Sequence, residues 1–549
     1  MVINKRIFLL LLILGVAVNL LGLNTPFFTD DPGLYASVPK QMIYHHNYWC
    51  LFSYNHDWLD KPHFPFWMIM ISYKIFGIHY WSYKLPGVAC FFLGVYYVYL
   101  FAGRFYNDNV ARIAVLVALL TQHGIMSNTD VRAEAYLFCF LIGAIYHLSK
   151  LKDTFKIPHL LLAAVLTAFA VMTKGLFVLI GIYGALFGEL LLTKQLNKLW
   201  QPRYVVLLLI TIVLVLPELI ALYQQFDLHP EKVVFGHKLV SGIRFFLWDS
   251  QFGRFLNTGP IRRSSGSVFF ILHTLLWAYA PWCFVLYYAL VNNVRKIIRK
   301  EKLAEYYTLS GGLVLLLLFS LSGFQLPFYT NILFPLFSII VADALSGKTS
   351  PRFHQFIMAS QTLYIVVFIL LICIINFLFA LTPALKVAIS ICWFVLLAII
   401  LFYIFKPRQA GLQPVFYMSC AIMILINSYL VILFYPRLSS FKAEISAARF
   451  LNSDTKAKIF VLENKDNIFQ FCVNKPVQLI PISAFGQQSN SASSYYYIHQ
   501  ESLDYLKANH INYHLVKAFK DYPRENILPK LLMDDRRASV LDDVYIVTK

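Results

Sequence analysis

Residues 5–23, KRIFLLLLILGVAVNLLGL, open with two bases and continue as an apolar run; residues 24–63, NTPFFTDDPGLYASVPKQMIYHHNYWCLFSYNHDWLDKPH, follow with carboxylates, aromatics, histidines and lysines. A helix that crosses a bilayer needs about 20 mostly apolar residues. The apolar run meets that need, and no small-residue cleavage site followed by a soluble chain comes after it. It reads as a retained helix and not as a removed signal peptide. Bases on one side of a span, and a long ionisable and aromatic segment on the other, form a pattern that the rest of the chain repeats.

The composition agrees. The 549 residues are 59% hydrophobic and 14% charged, where a soluble domain is about 45–50% apolar and about 25% charged. Mean hydropathy is +0.62. These figures exclude an ordinary soluble protein, a disordered chain, a coiled coil and a collagen. Thirteen segments are apolar and long enough to be candidate spans: 7–23, 85–103, 111–126, 135–149, 158–173, 176–193, 204–222, 268–292, 308–322, 327–345, 356–381, 384–405 and 414–434. The expected fold class is a polytopic α-helical membrane protein with about 13 transmembrane helices and a C-terminal soluble α/β domain. The transmembrane part is expected over 1–435, with outer loops 24–84 and 223–267, and the soluble, accessory part over 436–549. In that last part, apolar runs at 458–463, 467–472, 495–499, 512–516 and 544–548 alternate with helical patterns at 441–452 and 501–509.

The net charge of +19 sorts by loop. One set of connections carries Lys5, Arg6, Arg104, Arg112, Lys150, Lys152, Lys156, Lys194, Lys198, Arg203, Arg295, Lys296, Arg299, Lys300, Lys302, Lys348, Arg352, Lys406 and Arg408. The opposite short loops carry little more than Arg132, Lys174 and Lys386. Short loops rich in Lys and Arg stay in the cytoplasm. The N-terminus is therefore expected inside and the C-terminal domain outside. Bases spread over loop ends in this way mark topology, and a nucleic-acid partner is excluded.

The outer connections hold the chemistry. Asp30 and Asp31 precede His56-Asp57-Trp58-Leu59-Asp60-Lys61-Pro62-His63, and the apolar stretch 64–78 then suits a helix lying in the membrane interface. Asp130-Val131-Arg132-Ala133-Glu134, Thr173-Lys174-Gly175, Arg254, Arg262-Arg263 and Gln325-Leu326-Pro327-Phe328-Tyr329 lie on the same side. Ionisable groups at membrane depth are costly and usually functional. Lys and Arg match a phosphate; carboxylates serve as general base or hold a divalent cation; aromatics suit sugar faces and lipid chains. Each residue also has a plainer reading. Asp31 could cap the helix after it, His56 and His63 could be solvated, and Lys174, Arg132, Arg262 and Arg263 could reach to lipid headgroups. Together they describe a site for a membrane-embedded lipid phosphate.

At these residues the chain resembles the bacterial aminoarabinose transferase family, part of the wider GT-C membrane glycosyltransferases that include the protein O-mannosyltransferases. Asp31-Pro-Gly-Leu-Tyr35-Ala36 is similar to the family's Asp-Glu-x-Arg-Tyr-Ala, and Lys40-Gln41-Met42 to its Arg-Glu-Met. Trp58-Leu59-Asp60-Lys61-Pro62 parallels Tyr-Phe-Glu-Lys-Pro, and Met172-Thr173-Lys174-Gly175 matches Met-Thr-Lys-Gly. Gln251-Phe-Gly-Arg254-Phe255 resembles His-x-x-Arg-Phe, Pro281-Trp282 a Pro-Trp pair, and Leu326-Pro327-Phe328-Tyr329 Leu-Pro-Thr-Tyr. The sequence departs from the family at Leu34, where the family has Arg, at Gln251, where it has a His associated with a metal, and at Gln325, where it has Lys.

The resemblance implies a GT-C fold, a sugar donor on a polyprenyl phosphate, usually undecaprenyl phosphate, and transfer on the outer side of the bacterial inner membrane. It implies catalysis by Asp31, with Lys61 holding the donor phosphate and Lys174, Arg254 and Tyr329 lining the site. Taken with the residue chemistry, it makes Asp31 and Asp60 the catalytic candidates. Lys61, Lys174, Arg254, Arg262 and Arg263 are the phosphate-binding candidates, and Tyr35, Asp130, Arg132 and Tyr329 are expected to line the substrate. A divalent metal, if one is held, would fall to Asp60, His56 and His63. The acceptor would be lipid A or another glycolipid, or else a protein hydroxyl. The opposing reading is a lipid-linked glycan flippase or transporter.

Overall fold

The computed structural model describes residues 1–262, 266–347, 350–379, 387, 411–454, 458–487 and 494–549. Among these, six helices are long and apolar enough to cross a bilayer: Lys5–Asn24, Tyr80–Phe105, Ile157–Lys174, Pro202–Asp227, Pro351–Leu378 and Leu412–Ser439. A bent pair, Asp108–Leu119 and Gln122–Thr129, makes a seventh span if read as one. Shorter apolar helices cover Phe64–Phe76, Phe177–Leu192, Tyr307–Leu321 and Phe334–Ser346. The chain is a multi-pass membrane protein. Apart from breaks within 111–126 and 268–292, the expected segments fall on helix wherever they are described; of the segment 384–405 only residue 387 is described.

Burial separates lipid-facing helices from central ones. Leu9, Leu10, Ile13 and Leu14 of the first helix are exposed, as are Leu208, Leu209, Ile212 and Val213 of the Pro202–Leu222 helix. Such apolar rows would be untenable in water and are what a lipid-facing surface requires. Ala133–Asp153 is instead buried along most of its length. Helix starts follow local chemistry. The side chain of Asn4 accepts from the amides of Arg6 and Ile7 at 2.9 and 3.4 Å, so the first span begins on its own cap.

Two expected spans are broken. The pair at 108–129 bends by 54°, and a polar network absorbs the freed groups. The Gln122 amide N–H donates to the Ala280 carbonyl at 3.0 Å, and its side chain exchanges bonds with Asn427 at 3.1 and 3.2 Å. His123 Nδ1 meets Asn331 Oδ1 at 2.7 Å, and Asn128 donates to Asn19 at 2.7 Å. In hydrocarbon such a break persists only where protein supplies the partners. The segment 268–292 divides into Phe270–Ala278 and Cys283–Ile298 around a cis Ala280–Pro281 bond.

The loop after the first span forms the helix Asp30–Tyr44 and a small hairpin, β1 (Phe52–Ser53) and β2 (His56–Asp57). Beyond Ser439 the chain builds a five-stranded mixed sheet from β3 (Lys458–Leu462), β4 (Val477–Ile480), β5 (Ser494–His499), β6 (His514–Asp521) and β7 (Asp542–Thr548). Its order is β4-β3-β5-β7-β6. β3 runs parallel to β4 and β5, with Ile459 opposite Val477 and Tyr495, whereas β7 is antiparallel to β5 and β6. Period-two alternation sends Ile459 and Val461 to one face and Phe460 and Leu462 to the other, and both faces are packed. Tyr54, at the tip of the small hairpin, inserts into the first of those two cores.

Candidate active site

The site is assembled from six separate stretches of chain. Asp31 and Tyr35 stand on the first turns of the Asp30–Tyr44 helix. Thr29, the residue before it, makes no side-chain cap; its hydroxyl donates instead to Asp130 Oδ2 at 2.8 Å. Arg132 draws this corner together. It pairs with the Asp31 carboxylate, reaches Asp130 at 3.2 Å and lies 3.7 Å from the centre of the Phe328 ring. A buried guanidinium facing two carboxylates fixes their geometry, which an exposed pair would not do. Asp31 is thus an ion-pair partner and not a helix cap.

A second corner surrounds Asp60. Lys61 Nζ lies 3.0 Å from Asp60 Oδ2, and Arg254 binds Asp60 Oδ1 while its Nη2 also donates to the Asp60 carbonyl at 3.3 Å. Burial alone would raise the Asp60 carboxyl, but the two cations hold it down to about 2. The same carboxylate keeps Arg254 firmly charged against its own burial.

A third corner closes the site. Lys174, the last residue of the Ile157–Lys174 helix, meets Glu134 at 2.7 Å and lies 5.0 Å from the centre of the Tyr329 ring. Gly175 follows with φ +98°, and a Cβ there would collide with the Gln251 side chain. The glycine is required both for its backbone angle and for its lack of a side chain. Tyr35 and Tyr329 sit among these charges: Glu134, Asp31, Asp60 and Arg132 lie within electrostatic reach of Tyr35, and Arg254, Lys61, Glu134 and Asp60 of Tyr329.

A cavity of about 560 Å³ opens from this cluster. Lys174, Arg254 and Tyr329 stand at its polar end, and Phe177, Leu179, Ile180 and Leu318 are among its apolar walls. Polar groups converging at the end of an apolar cavity are the usual form of a ligand site.

Asp31, Tyr35, Asp60, Lys61, Asp130, Arg132, Lys174, Arg254 and Tyr329 therefore form one cluster of neighbouring groups, of which Lys174, Arg254 and Tyr329 line the cavity. Arg262 does not join them. It is exposed and donates to the carbonyls of Gly259 and Thr258 on its own loop. Arg263 lies outside the described residues. The expected metal set is corrected. His63 is fully buried, with Nδ1 2.9 Å from Glu218 and Nε2 3.1 Å from the Trp49 carbonyl, so both ring nitrogens are engaged. His56 is exposed on β2. Among the described residues, no three His, Cys, Asp or Glu side chains are placed to hold an ion. These residues do not fit a metal. Glu134, quoted in the sequence only as part of its segment, joins the site through Lys174, and the sequence offered no role for Glu218, the buried partner of His63 beside it. The available signal for Glu218 was a carboxylate inside an otherwise apolar span, where charge is expensive.

Residues 60–220 match the profile of the dolichyl-phosphate-mannose-protein mannosyltransferase family. An undecaprenyl phosphate-alpha-4-amino-4-deoxy-L-arabinose arabinosyl transferase of Pseudomonas fluorescens is 24% identical over 305 residues, which is 54% of this chain and 50% of that protein. The chain thus aligns with about half the length of that relative. The crystal structure of ArnT from Cupriavidus metallidurans bound to undecaprenyl phosphate superposes with a TM-score of 0.75 at 16% identity, covering 98% of this chain and 97% of the other. Its apo structure gives 0.74 with the same coverage. The fold is the GT-C fold seen in ArnT, and parts of the sequence resemble the aminoarabinose transferases and, over residues 60–220, the protein mannosyltransferases.

Proposed function

We propose that the chain is a glycosyltransferase of a bacterial inner membrane that moves a sugar from a polyprenyl phosphate, undecaprenyl phosphate above all, to lipid A or another glycolipid of the outer face. The observation that carries this reading is the cavity, whose apolar walls end at Lys174, Arg254 and Tyr329. A long hydrocarbon tail ending in a phosphate has the complementary chemistry. The Pseudomonas relative is named for an undecaprenyl-phosphate-linked sugar, and the Cupriavidus protein was crystallised with undecaprenyl phosphate. Both support the same ligand class here.

In this reading the bond between the anomeric carbon and the phosphate oxygen breaks, and its electron pair leaves with the phosphate. The acceptor oxygen bonds to that carbon. Lys61, Arg254 and Lys174 offset the charge gathering on the leaving phosphate. Asp31, held by Arg132, takes the proton of an acceptor hydroxyl, or orients the acceptor where it is already an anionic phosphate. Asp60 spaces Lys61 and Arg254. No step passes through a metal. The Lys- and Arg-rich loops favour a cytoplasmic N-terminus, with the site and residues 436–549 in the periplasm and residues 1–435 as the catalytic membrane part.

Purified Asp31→Asn and Lys61→Ala variants are expected to insert normally and to lose about 10²–10³ in transfer rate, within the usual cost of removing a general base or a group that stabilises developing charge. Mass spectrometry of lipid A from cells with and without the gene should differ by one sugar. Full activity in both variants, or unchanged outer-face glycolipids, would sink the assignment.

A further inference from the structure

The helix that carries Asp31 and Tyr35 is gripped from outside the membrane part. Asp30 and Lys40 lie ten positions apart on it, about 15 Å along the axis. Between them runs the short helix Asn467–Cys472 of the C-terminal α/β unit. Asp30 takes its N-terminal end: Oδ1 accepts from the Asn467 amide at 3.1 Å and Oδ2 from the Asn467 side chain at 2.6 Å. Lys40 takes its C-terminal end. Its ammonium, 1% exposed, donates to the carbonyls of Gln470 at 2.9 Å, Phe471 at 2.8 Å and, more closely still, Val473. An acid at the first turn and a cation at the last carbonyls are the placements that a helix's own polarity favours. The two helices touch closely, because a Cβ on Gly33 would stand 2.8 Å from the Ile468 amide nitrogen. A buried ammonium with three carbonyl partners is costly to disturb, since removing it leaves those carbonyls without a donor. Nothing in the proposed transfer step uses Asp30 or Lys40.

We propose that Asp30 and Lys40 are positioning residues that lock the reactive helix Asp30–Tyr44 onto the Asn467–Cys472 helix, so that the C-terminal unit sets the aim of Asp31 and Tyr35. The claim that aim governs turnover rests on the glycosyltransferase reading; the lock itself does not. The C-terminal unit is then part of the working site and not an accessory to it.

The test uses the full chain in detergent or vesicles, with Lys40→Met and Asn467→Ala as the two breaks and Lys520→Met as the control. Lys520 pairs with Asp543 on the same unit but is largely exposed. Asn467→Ala removes one side-chain bond and leaves the reactive helix chemically intact, so it remains informative should Lys40→Met fold poorly. Hydrogen exchange over residues 30–44 should quicken about tenfold in both breaks and stay unchanged in the control, as expected when a docked helix is released to open locally. Undecaprenyl phosphate should bind within about threefold of wild type while kcat falls about ten- to a hundredfold, the signature of misplacement without lost binding. Unchanged exchange overturns the proposal, and so does quickened exchange with unchanged kcat. A wild-type chain that transfers no sugar defeats the glycosyltransferase reading instead. The exchange result then decides the lock alone, for it if quickened and against it if not.

Discussion

Asp60 shows how a single carboxylate organises its neighbours. With Lys61 and Arg254 on either side, it stays ionised down to about 2 in the folded chain, against about 3.8 when unfolded. A carboxyl held low in the folded state contributes stability that is fully present above the unfolded value and is lost as pH falls through the folded one. The difference of nearly two units corresponds to about 2 kcal/mol. Asp60→Asn is therefore expected to be less stable than wild type by about 2 kcal/mol above pH 4, with the gap closing between pH 4 and 2. Thermal unfolding of both proteins across that range checks it; a gap that persists unchanged to pH 2 would contradict the assignment. At this scale the sequence was informative where a residue's chemistry was unusual for its setting. Asp31, Lys61 and Arg254 could be found as charges at a membrane edge. The pairing of Glu134 with Lys174, or of Glu218 with His63, could not, because partners 40 and 155 residues apart are fixed only by packing.

Among elements, the Ile157–Lys174 helix has the most exacting ending. Gly175 takes a backbone angle that a side chain resists and leaves space filled by Gln251, whose carbonyl oxygen accepts from the Phe177 amide at 3.3 Å. Gly175→Ala should cost about 1–3 kcal/mol and displace Lys174 from the cavity mouth. Weaker binding of undecaprenyl phosphate together with a lowered unfolding temperature is the expected result, read by titration and by thermal scan. Apolar length made the spans legible, because a bilayer imposes one number on every helix that crosses it. The breaks at 120–121 and 279–282 were not legible, since the first depends on Ala280, Asn427 and Asn331 and the second on Gln122 and Gln361 supplying partners from elsewhere in the fold. The run 467–472 left its form open for a related reason. Six apolar-rich residues do not separate strand from helix by periodicity, and its helical form is held at both ends by Asp30 and Lys40.

For the whole molecule, the distribution of Lys and Arg makes orientation a prediction that can be read directly. In a background lacking Cys50 and Cys472, Asn509→Cys should react with a membrane-impermeant maleimide in intact spheroplasts, whereas Arg299→Cys should react only after lysis. The reverse pattern would invert the proposed topology. Both positions are exposed in the fold. The paired charges of the site carry a consequence at this same scale. Lys61, Arg254, Lys174 and Arg132 are matched by Asp60, Glu134, Asp31 and Asp130, leaving almost no net field to project beyond the protein. A site so balanced does not summon anions across the aqueous phase, and millimolar changes in ionic strength should scarcely alter its encounter rate. The proposed donor, a lipid phosphate, would instead arrive by wandering sideways within the bilayer, a two-dimensional search in which the apolar cavity walls do the recruiting and the charges act only on contact.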